Sequence, residues 1–247
     1  MMPRLVAHVL LVERPGGLLL VDTGIGTDDL ADPARLGGPF LAMMRPTLSP
    51  AETAIAQLTA LGFTADDVTD IALTHLDLDH AGGLSDFPDA RVHVNELEYD
   101  AATRPRRNER ARYVAGQWAH GPRWVMHADP GEDWLGFPAV TALADDVLMI
   151  PLLGHTRGHA GIAVRQDDGG WLLHAGDSFF DARQVRTPPT CHRGLAVLQR
   201  MFAVDNKARL HNTERLRELV AARSAEVTVV CSHDSVQFES FAGATPD

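Results

Sequence analysis

The chain of 247 residues is 45% hydrophobic and 22% charged, which is typical of a folded globular protein and argues against a disordered one. Its length suits one large domain or two small ones. Its formal net charge of −11 repels phosphate backbones, so we expect no nucleic-acid partner.

The apolar runs and the cysteines indicate the compartment. No apolar run approaches the roughly 18 residues of a membrane span, and the first residues lack the apolar core of a signal peptide. The two cysteines, Cys191 and Cys231, are too few for a disulfide framework and favour a reducing environment. We therefore expect a cytoplasmic protein without a membrane partner.

The first part of the chain predicts strands and one helix. Strand-like runs cover 5–13 and 17–22, and Pro15-Gly16-Gly17 between them is typical of a hairpin. Helical spacing follows over 50–61, with Ser49 as the expected N-cap.

The middle and late parts predict further strands around an irregular region. Strands are expected at 70–74 and 91–94, with Asn95 as the cap of a following helix. Residues 104–140 hold four prolines and three tryptophans and are expected to form an irregular, lid-like segment. The later predicted elements are strands 147–153, 161–165, 171–175 and 227–231 and helix 213–223, with a turn at 168–170 between strands 161–165 and 171–175. Because no linker divides the chain, we expect one α/β domain over 1–247.

An arginine cluster lies inside the irregular region and departs from the acidic balance of the chain. It comprises Arg104, Arg106, Arg107, Arg110 and Arg112, with Glu109 among them. A solvated helix face is the expected interpretation. A surface that grips an anionic substrate is the alternative.

The predicted strand at 70–74 leads into the sequence His-Leu-Asp-Leu-Asp-His at 75–80. An extended segment places His75, Asp77 and Asp79 on one face and the two leucines on the other. Imidazole nitrogen and carboxylate oxygen are the usual ligands of zinc and its neighbours. Four such residues within six positions predict a metal site, because buried without a cation they would be costly to desolvate.

Three further segments carry residues of the same kind at or near the ends of predicted strands. They contain His155 with His159, His174 with Asp177, and His233. Each segment alone is a weak signal, because a lone histidine is more often a satisfied core or surface residue.

Together with the run at 75–80, these segments form an ordered set that resembles the metallo-β-lactamase-fold superfamily. The family pattern is His-x-His-x-Asp-His, then Gly-His-Thr-x-Gly-His, then Gly-Asp, then a late His, and here it corresponds to 75–80, 154–159, 176–177 and 233. The resemblance implies an α/β fold of four layers, an αβ/βα sandwich with metal ions at one edge. In length and around Ser232-His233-Asp234 the chain is similar to the N-acyl-homoserine lactonase branch.

The resemblance also implies roles for individual residues. The implied ligands of two divalent ions, zinc first among them, are His75, Asp77 and His155 for one ion, Asp79, His80 and His233 for the other, and Asp177 between them. Asp22 is expected to orient a ligand histidine. His159 and His174 are expected next to the ligands, with a purely structural role as the alternative. Asp79 is also expected to be the catalytic proton donor.

Asp77 departs from the family pattern, which has histidine at this position. Two imidazoles and a carboxylate form a known zinc arrangement, and also the ligand set of many non-haem iron sites. The added negative charge makes the centre less electrophilic, so manganese and iron are alternatives to zinc. In a further alternative, Asp77 does not bind and the first site is weak or empty.

These features predict a hydrolase that attacks a small lactone, ester or thioester with hydroxide held by two metal ions. The alternatives are an iron-dependent oxidoreductase on the same fold and a substrate-binding protein with a degenerate site. The lactonase branch usually has a tyrosine after the shared Asp, whereas Phe179 and Phe180 follow Asp177 here. These two residues are expected either in an apolar pocket wall or in the core. The expected partner is a small molecule, and the oligomeric state stays open, with a homodimer as one alternative.

Overall fold

The computed structural model describes residues 3–128, 131–138, 140–144 and 146–242. The chain divides into two compact units. The N-terminal unit is Val9–Met126, and the C-terminal unit is Met1–His8 together with His127–Asp247. One domain over the whole chain stays a prediction. Among the described residues, every helix is too short or too polar to span a lipid bilayer.

A five-stranded sheet organises the N-terminal unit. In pairing order, its strands are β1 (Leu10–Arg14), β2 (Gly17–Val21), β3 (Val68–Ala72), β4 (Arg91–Asn95) and β5 (Arg123–His127). β1 and β2 form the predicted hairpin, with Arg14 opposite Gly17, whereas β2, β3 and β4 run parallel. Because neighbouring parallel strands end at the same edge, the segments that follow β2 and β3 lie close together.

Strand β1 begins at Leu10 and not at residue 5, so the prediction for 5–13 is wrong in its first half. Residues 5–8 belong to the C-terminal unit. There Val6 and His8 donate their backbone N–H groups to the carbonyls of His233 and Ser232. An alternating apolar pattern indicates an extended segment, but it does not say which segment will be its partner.

Four helices belong to the N-terminal unit. They are α1 (Thr27–Ala31), α2 (Gly38–Met44), α3 (Ala54–Ala60) and α4 (Glu96–Thr103), with 3-10 turns at Pro33–Leu36, Pro50–Glu52, Ala65–Asp67, Gly82–Asp86 and Ala115–Trp118. The helix predicted over 50–61 begins later, and Thr53 rather than Ser49 caps it by accepting a backbone N–H at 3.3 Å. The predicted cap of α4 is confirmed, because Asn95 Oδ1 accepts the N–H of Leu97 at 2.9 Å.

The arginine cluster does not lie on a helix face, so that prediction is wrong. Helix α4 ends at Thr103, and residues 107–112 form turns. Glu109 is 1% exposed, and its Oε2 accepts the backbone N–H of Arg106 at 2.7 Å. The buried glutamate therefore closes a turn here in place of a helix, while Arg104, Arg106, Arg107 and Arg110 stay exposed as the solvated interpretation expects.

The rest of the predicted irregular segment contains β5 and a small hairpin, β6 (Asp133–Trp134) with β7 (Phe137–Pro138). Pro130, one of the four prolines in this segment, lies outside the described residues. The segment therefore has more regular structure after residue 122 than its composition indicates.

A second five-stranded sheet organises the C-terminal unit. Its strands are β8 (Val140–Ala144), β9 (Val147–Pro151), β10 (Ala160–Arg165), β11 (Trp171–His174) and β12 (Val227–Val230). They pair in the order β12-β11-β10-β9-β8, with only β11 and β12 parallel to each other. The four strands predicted here are confirmed apart from their ends.

The described residues of the C-terminal unit form three helices. They are α5 (Arg193–Phe202), α6 (Asn206–Arg223) and α7 (Ser235–Ala242), with 3-10 turns at Gly176–Ser178 and Ala182–Val185. Helix α6 begins before the predicted residue 213, because Asp205 caps it and accepts two backbone N–H groups. Each unit has its own core: Ile71 and Leu73 are fully buried in the first, and Leu173 and Leu216 in the second. These rigid cores fix the loops that carry the polar residues.

Candidate functional site

The run 75–80 follows β3 and is almost wholly buried. His75 is 0% exposed and His80 is 1% exposed, and their ring centroids are 4.0 Å apart. The run is extended only in its first half, because the N–H of His80 donates to the carbonyl of Asp77 at 2.9 Å and closes a turn. Asp79 therefore does not continue the single extended face that its spacing predicts.

Asp22, directly after β2, contacts Thr74 and the run that follows it. Oδ1 accepts the backbone N–H of Thr74 at 2.7 Å, and Oδ2 accepts the Thr74 hydroxyl at 2.8 Å. His80 Nδ1 lies 2.9 Å from the same Oδ2. Because a carboxylate only accepts, His80 must donate from Nδ1.

The same carboxylate fixes the tautomer of a second histidine. The Thr74 hydroxyl directs its proton at Asp22, so it accepts from His75 Nδ1, which lies 2.9 Å away. In the neutral rings of His75 and His80 the lone pair is therefore on Nε2. His75 Nε2 lies 3.4 Å from Asp77 Oδ2, and His80 Nε2 lies 3.9 Å from Asp79 Oδ1. Both pairs present donor atoms suited to a divalent cation.

Side chains from the segment after β4 support the backbone of the run. Glu98, which is 0% exposed, accepts the N–H of Leu76 at 3.0 Å and the hydroxyl of Tyr113 at 3.2 Å. Burial, together with the charge of Glu98, raises the pKa of Tyr113 far above its usual range, so this hydroxyl stays a donor. Gln117 Nε2 donates to the carbonyl of Leu78 at 2.8 Å. Tyr113 and Gln117, which lie in the segment predicted to be lid-like, thus support the run of candidate metal ligands.

Arg112 contacts Asp77 through two atoms. Arg112 Nη2 donates to Asp77 Oδ2 at 2.9 Å, and Arg112 Nε lies 2.8 Å from Asp77 Oδ1. Sequence reasoning placed Arg112 in a charged cluster, either on a solvated helix face or gripping an anionic substrate, and missed this contact. The sequence did contain a signal: an aspartate replaces the histidine of the family motif, and an arginine cluster follows it in an otherwise acidic chain.

In the C-terminal unit, two predicted ligands converge on one carboxylate oxygen of a third, Asp177. Asp177 Oδ2 lies 3.3 Å from His155 Nε2 and 3.0 Å from His233 Nε2. His233 Nδ1 donates to the carbonyl of Val6 at 2.6 Å, so the lone pair of its neutral ring is on Nε2. A lone pair and a carboxylate oxygen at 3.0 Å repel each other unless a proton or a cation lies between them. A metal cation satisfies this arrangement, so the residues fit such a group.

His159 and His174 do not present nitrogens to this carboxylate oxygen. His159 Nδ1 donates to the carbonyl of Leu152 at 2.9 Å, and its Nε2 accepts the backbone N–H of Asp177 at 2.8 Å. His159 therefore fixes the backbone of Asp177. His174 Nε2 lies 3.3 Å from the carbonyl of His8 and contacts the N-terminal segment.

The two phenylalanines after Asp177 differ in their surroundings. Phe179 is 0% exposed and belongs to the core of the C-terminal unit, so core packing rather than a pocket wall describes it. The Phe180 ring packs edge-on to His233 at 4.5 Å. Phe180 also lines a cavity of about 600 Å³, whose walls include His233, Leu195, Phe241, Arg183 and Arg186.

The cysteines do not contribute to these clusters. Cys191 and Cys231 are both free thiols. Burial raises the pKa of the Cys231 thiol far above its usual range, which disfavours the reactive thiolate. Burial also raises the pKa of the Cys191 thiol.

Comparisons with known proteins place this chain among relatives. A model of the metallo-beta-lactamase superfamily matches residues 2–233. A protein of Mycobacterium tuberculosis named "Probable metallo-hydrolase" is 40% identical over 93% of this chain and 75% of its own length. The N-acyl homoserine lactonase AttM of Azorhizobium caulinodans is 27% identical over 94% of this chain and 82% of its own.

Solved structures show the fold. A mutant of AiiA from B. thuringiensis, with N-decanoyl-L-homoserine bound at its active site, superposes with a TM-score of 0.74 at 22% identity, covering 96% of this chain and 84% of that one. AidC, described as a dizinc quorum-quenching lactonase, gives a TM-score of 0.61 at 18% identity, covering 94% and 73%. The fold predicted from the motif order is confirmed.

Proposed function

The chain belongs to the metallo-beta-lactamase superfamily and is a metallo-hydrolase, and from this premise we propose that it hydrolyses a small lactone, ester or thioester. We infer that it does so at a centre of two divalent metal ions. The ligands we propose are His75, Asp77, His155, Asp79, His80, His233 and Asp177, with Asp177 shared by both ions. We propose zinc as the native metal, with manganese and iron as alternatives.

Three histidines carry this proposal. His75, His80 and His233 each use Nδ1 as a hydrogen-bond donor and direct Nε2 towards a carboxylate oxygen. This arrangement is the one that metal-bound imidazole needs, because the bonded Nδ1–H fixes the ring and leaves the Nε2 lone pair for the ion. A neutral imidazole lone pair that faces a carboxylate oxygen, as in these three contacts, is stabilised by a cation bound between the two atoms.

The chemistry that two bound divalent ions supply is ionisation of water near neutral pH and polarisation of a carbonyl oxygen. Asp79 is the residue we propose for the proton that the leaving group needs. Its side chain is 20% exposed, in contrast to the fully buried His75, so a substrate can approach it. Asp22 and Thr74 hold the histidine tautomers during the reaction, and His159 holds the backbone of Asp177.

The cavity of the C-terminal unit supports a small-molecule substrate. Its volume of about 600 Å³ falls in the usual range for small-ligand sites. Phe180 and Leu195 give it an apolar wall, and His233 places a proposed metal ligand in the same wall. The lactonases among the relatives make a lactone the first substrate to assay.

Substitution of Asp79 tests the mechanism. We expect Asp79→Asn to lower kcat by about 100-fold or more, the usual range for loss of a proton donor, while metal content by plasma mass spectrometry falls far less. Asp89→Asn, at an exposed aspartate in the same unit, is the matched control and should leave both quantities unchanged. Equal losses of metal and turnover would show that Asp79 is only a ligand.

Metal analysis of protein purified without added metal tests the proposed function itself. We expect about two zinc or manganese ions per chain, with turnover of at least one lactone or ester. Iron accompanied by oxygen consumption would overturn hydrolysis.

A further inference from the structure

The ion pair between Asp77 and Arg112 lies inside the run of proposed ligands. The guanidinium and the carboxylate meet at two points, 2.8 and 2.9 Å apart. Each side chain is only 12% exposed. The contact at Oδ2 is a charge-assisted hydrogen bond, the contact at Oδ1 is an ion pair, and screening by solvent is reduced at this burial.

The fold holds Arg112 in position. The backbone N–H of Arg112 donates to the carbonyl of Glu109 at 3.1 Å, and buried Glu109 closes the preceding turn onto Arg106. The next residue, Tyr113, is 9% exposed and donates to Glu98. Arg112 is therefore an ordered part of the N-terminal unit and not a mobile surface arginine.

The pair changes the charge of the ligand set. Three carboxylates, Asp77, Asp79 and Asp177, would make the set more negative than a family motif with a neutral histidine at 77. The Arg112 cation cancels one of these charges. The Asp77–Arg112 pair is then neutral, as the histidine would be, while an oxygen lone pair of Asp77 stays available.

We propose that Arg112 is a specificity-determining residue that sets which divalent ion the site containing Asp77 prefers, and how tightly. The inference rests on the proposed metal centre. Arg112 keeps the site close in charge to the histidine-bearing motif and so keeps its preference for zinc. Without Arg112, Asp77 is a full carboxylate ligand, which favours harder ions such as manganese.

Loss of Arg112 should change metal affinity in the opposite direction to loss of the usual hydrogen-bond partner of a metal ligand. A carboxylate bonded to a ligand histidine raises the basicity of the ring, and its loss weakens metal binding. Arg112 withdraws charge from Asp77 and repels the ion, so its loss strengthens binding. A unit charge a few ångströms from an ion changes binding by at least about tenfold, even at a high effective dielectric constant.

Metal titration tests the proposal without any activity assay. The stripped wild-type protein and the variants Arg112→Gln, Arg112→Lys and Arg107→Gln are titrated with Zn²⁺ and Mn²⁺ in competition with a chromophoric chelator. Arg112→Gln keeps a donor but loses the charge, and we expect it to bind Mn²⁺ at least about tenfold more tightly, with a smaller gain for Zn²⁺. Arg112→Lys keeps the charge but not the guanidinium geometry, so its Mn²⁺ affinity should stay closer to the wild type than that of Arg112→Gln. Arg107→Gln removes an exposed arginine from the same segment and should behave like the wild type.

A double substitution provides a second test, which does not require the single variant Arg112→Gln to fold. Asp77→His with Arg112→Gln has the same ligand-set charge as the wild type, and we expect the wild-type ratio of Zn²⁺ to Mn²⁺ affinity. Unchanged or weaker Mn²⁺ binding by folded Arg112→Gln overturns the proposal, as does a double variant that prefers Mn²⁺. A folded wild-type protein that binds neither ion contradicts the metal centre itself, which is a distinguishable result.

Discussion

The two units supply proposed ligands in different ways. The N-terminal unit carries four of them within six consecutive residues, and side chains hold that run: Asp22 and Thr74 fix the rings, and Glu98 and Gln117 fix the backbone. The C-terminal unit carries one proposed ligand on each of three separate segments. There the carbonyl of Val6 fixes the ring of His233, and the side chain of His159 fixes the backbone of Asp177. Adjacent proposed ligands are thus held by hydrogen bonds from neighbouring side chains, whereas proposed ligands on separate segments come together at one shared carboxylate oxygen.

One carboxylate organises each set, but the two carboxylates have different tasks. Asp177 is itself the common point, because His155 Nε2 and His233 Nε2 both lie within 3.3 Å of its Oδ2. Asp22 is behind the histidines, since both Asp22–His80 and Thr74–His75 contacts are made to Nδ1. Removing the first should eliminate a ligand, and removing the second should only loosen ligands.

The largest effect is expected from Asp177→Asn. An amide oxygen carries no charge to hold two cations, so we expect metal affinity to fall by more than the roughly 100-fold that loss of an outer partner costs. Turnover should fall with it and should not recover in excess metal. Isothermal titration with Zn²⁺ and a lactone assay measure the two quantities.

The matched control is Asp168→Asn, in the exposed turn between β10 and β11, where an amide oxygen can still accept the N–H of Gly170. It should bind metal like the wild type. Near-normal metal affinity in Asp177→Asn would mean that the C-terminal set has no common ligand, and the comparison of the two sets would fail.

A smaller effect is expected from Asp22→Asn. The amide keeps one accepting oxygen for three bonds that now end on the carboxylate, so the rings of His75 and His80 are held less firmly. We expect metal affinity to fall about 10- to 100-fold, with turnover recovering in excess metal. Metal-dependent activity curves measure this recovery.

Thr74→Val distinguishes the two ways in which Asp22 holds the histidines: directly at His80, and through the Thr74 hydroxyl at His75. It removes the contact to His75 but leaves the direct bond from His80, so its loss of affinity should be smaller than that of Asp22→Asn. If Thr74→Val has the larger loss, the hydroxyl and not the carboxylate organises the run.

The difference between the two sets also explains what could be predicted from the sequence. The run at 75–80 is visible because its ligands are adjacent, whereas His155, Asp177 and His233 are individually ordinary and were assigned through the order of the motifs. The strands were predictable because their apolar residues form compact runs. The contact of Arg112 with Asp77 was not, because the turn around buried Glu109 depends on packing and not on local pattern. For the same reason 5–8 looked like part of β1, although its backbone partners are Ser232 and His233.

The smallest effect is expected from Asn95→Ala. It tests whether the contacts that hold the run at 75–80 depend on the cap of α4. Asn95 caps α4 by accepting the N–H of Leu97, and α4 carries Glu98, which bonds the backbone of Leu76. Loss of the cap should lower the free energy of unfolding by about 1 kcal/mol, measured by urea denaturation. Metal affinity should stay within the error of titration, because Tyr113 also holds the carboxylate of Glu98. Asn95→Asp keeps an accepting oxygen and should retain wild-type stability. A loss of metal affinity in Asn95→Ala as large as in Asp22→Asn would mean that the run depends on the whole of α4, and the support would then be a single cooperative unit instead of a few specific bonds.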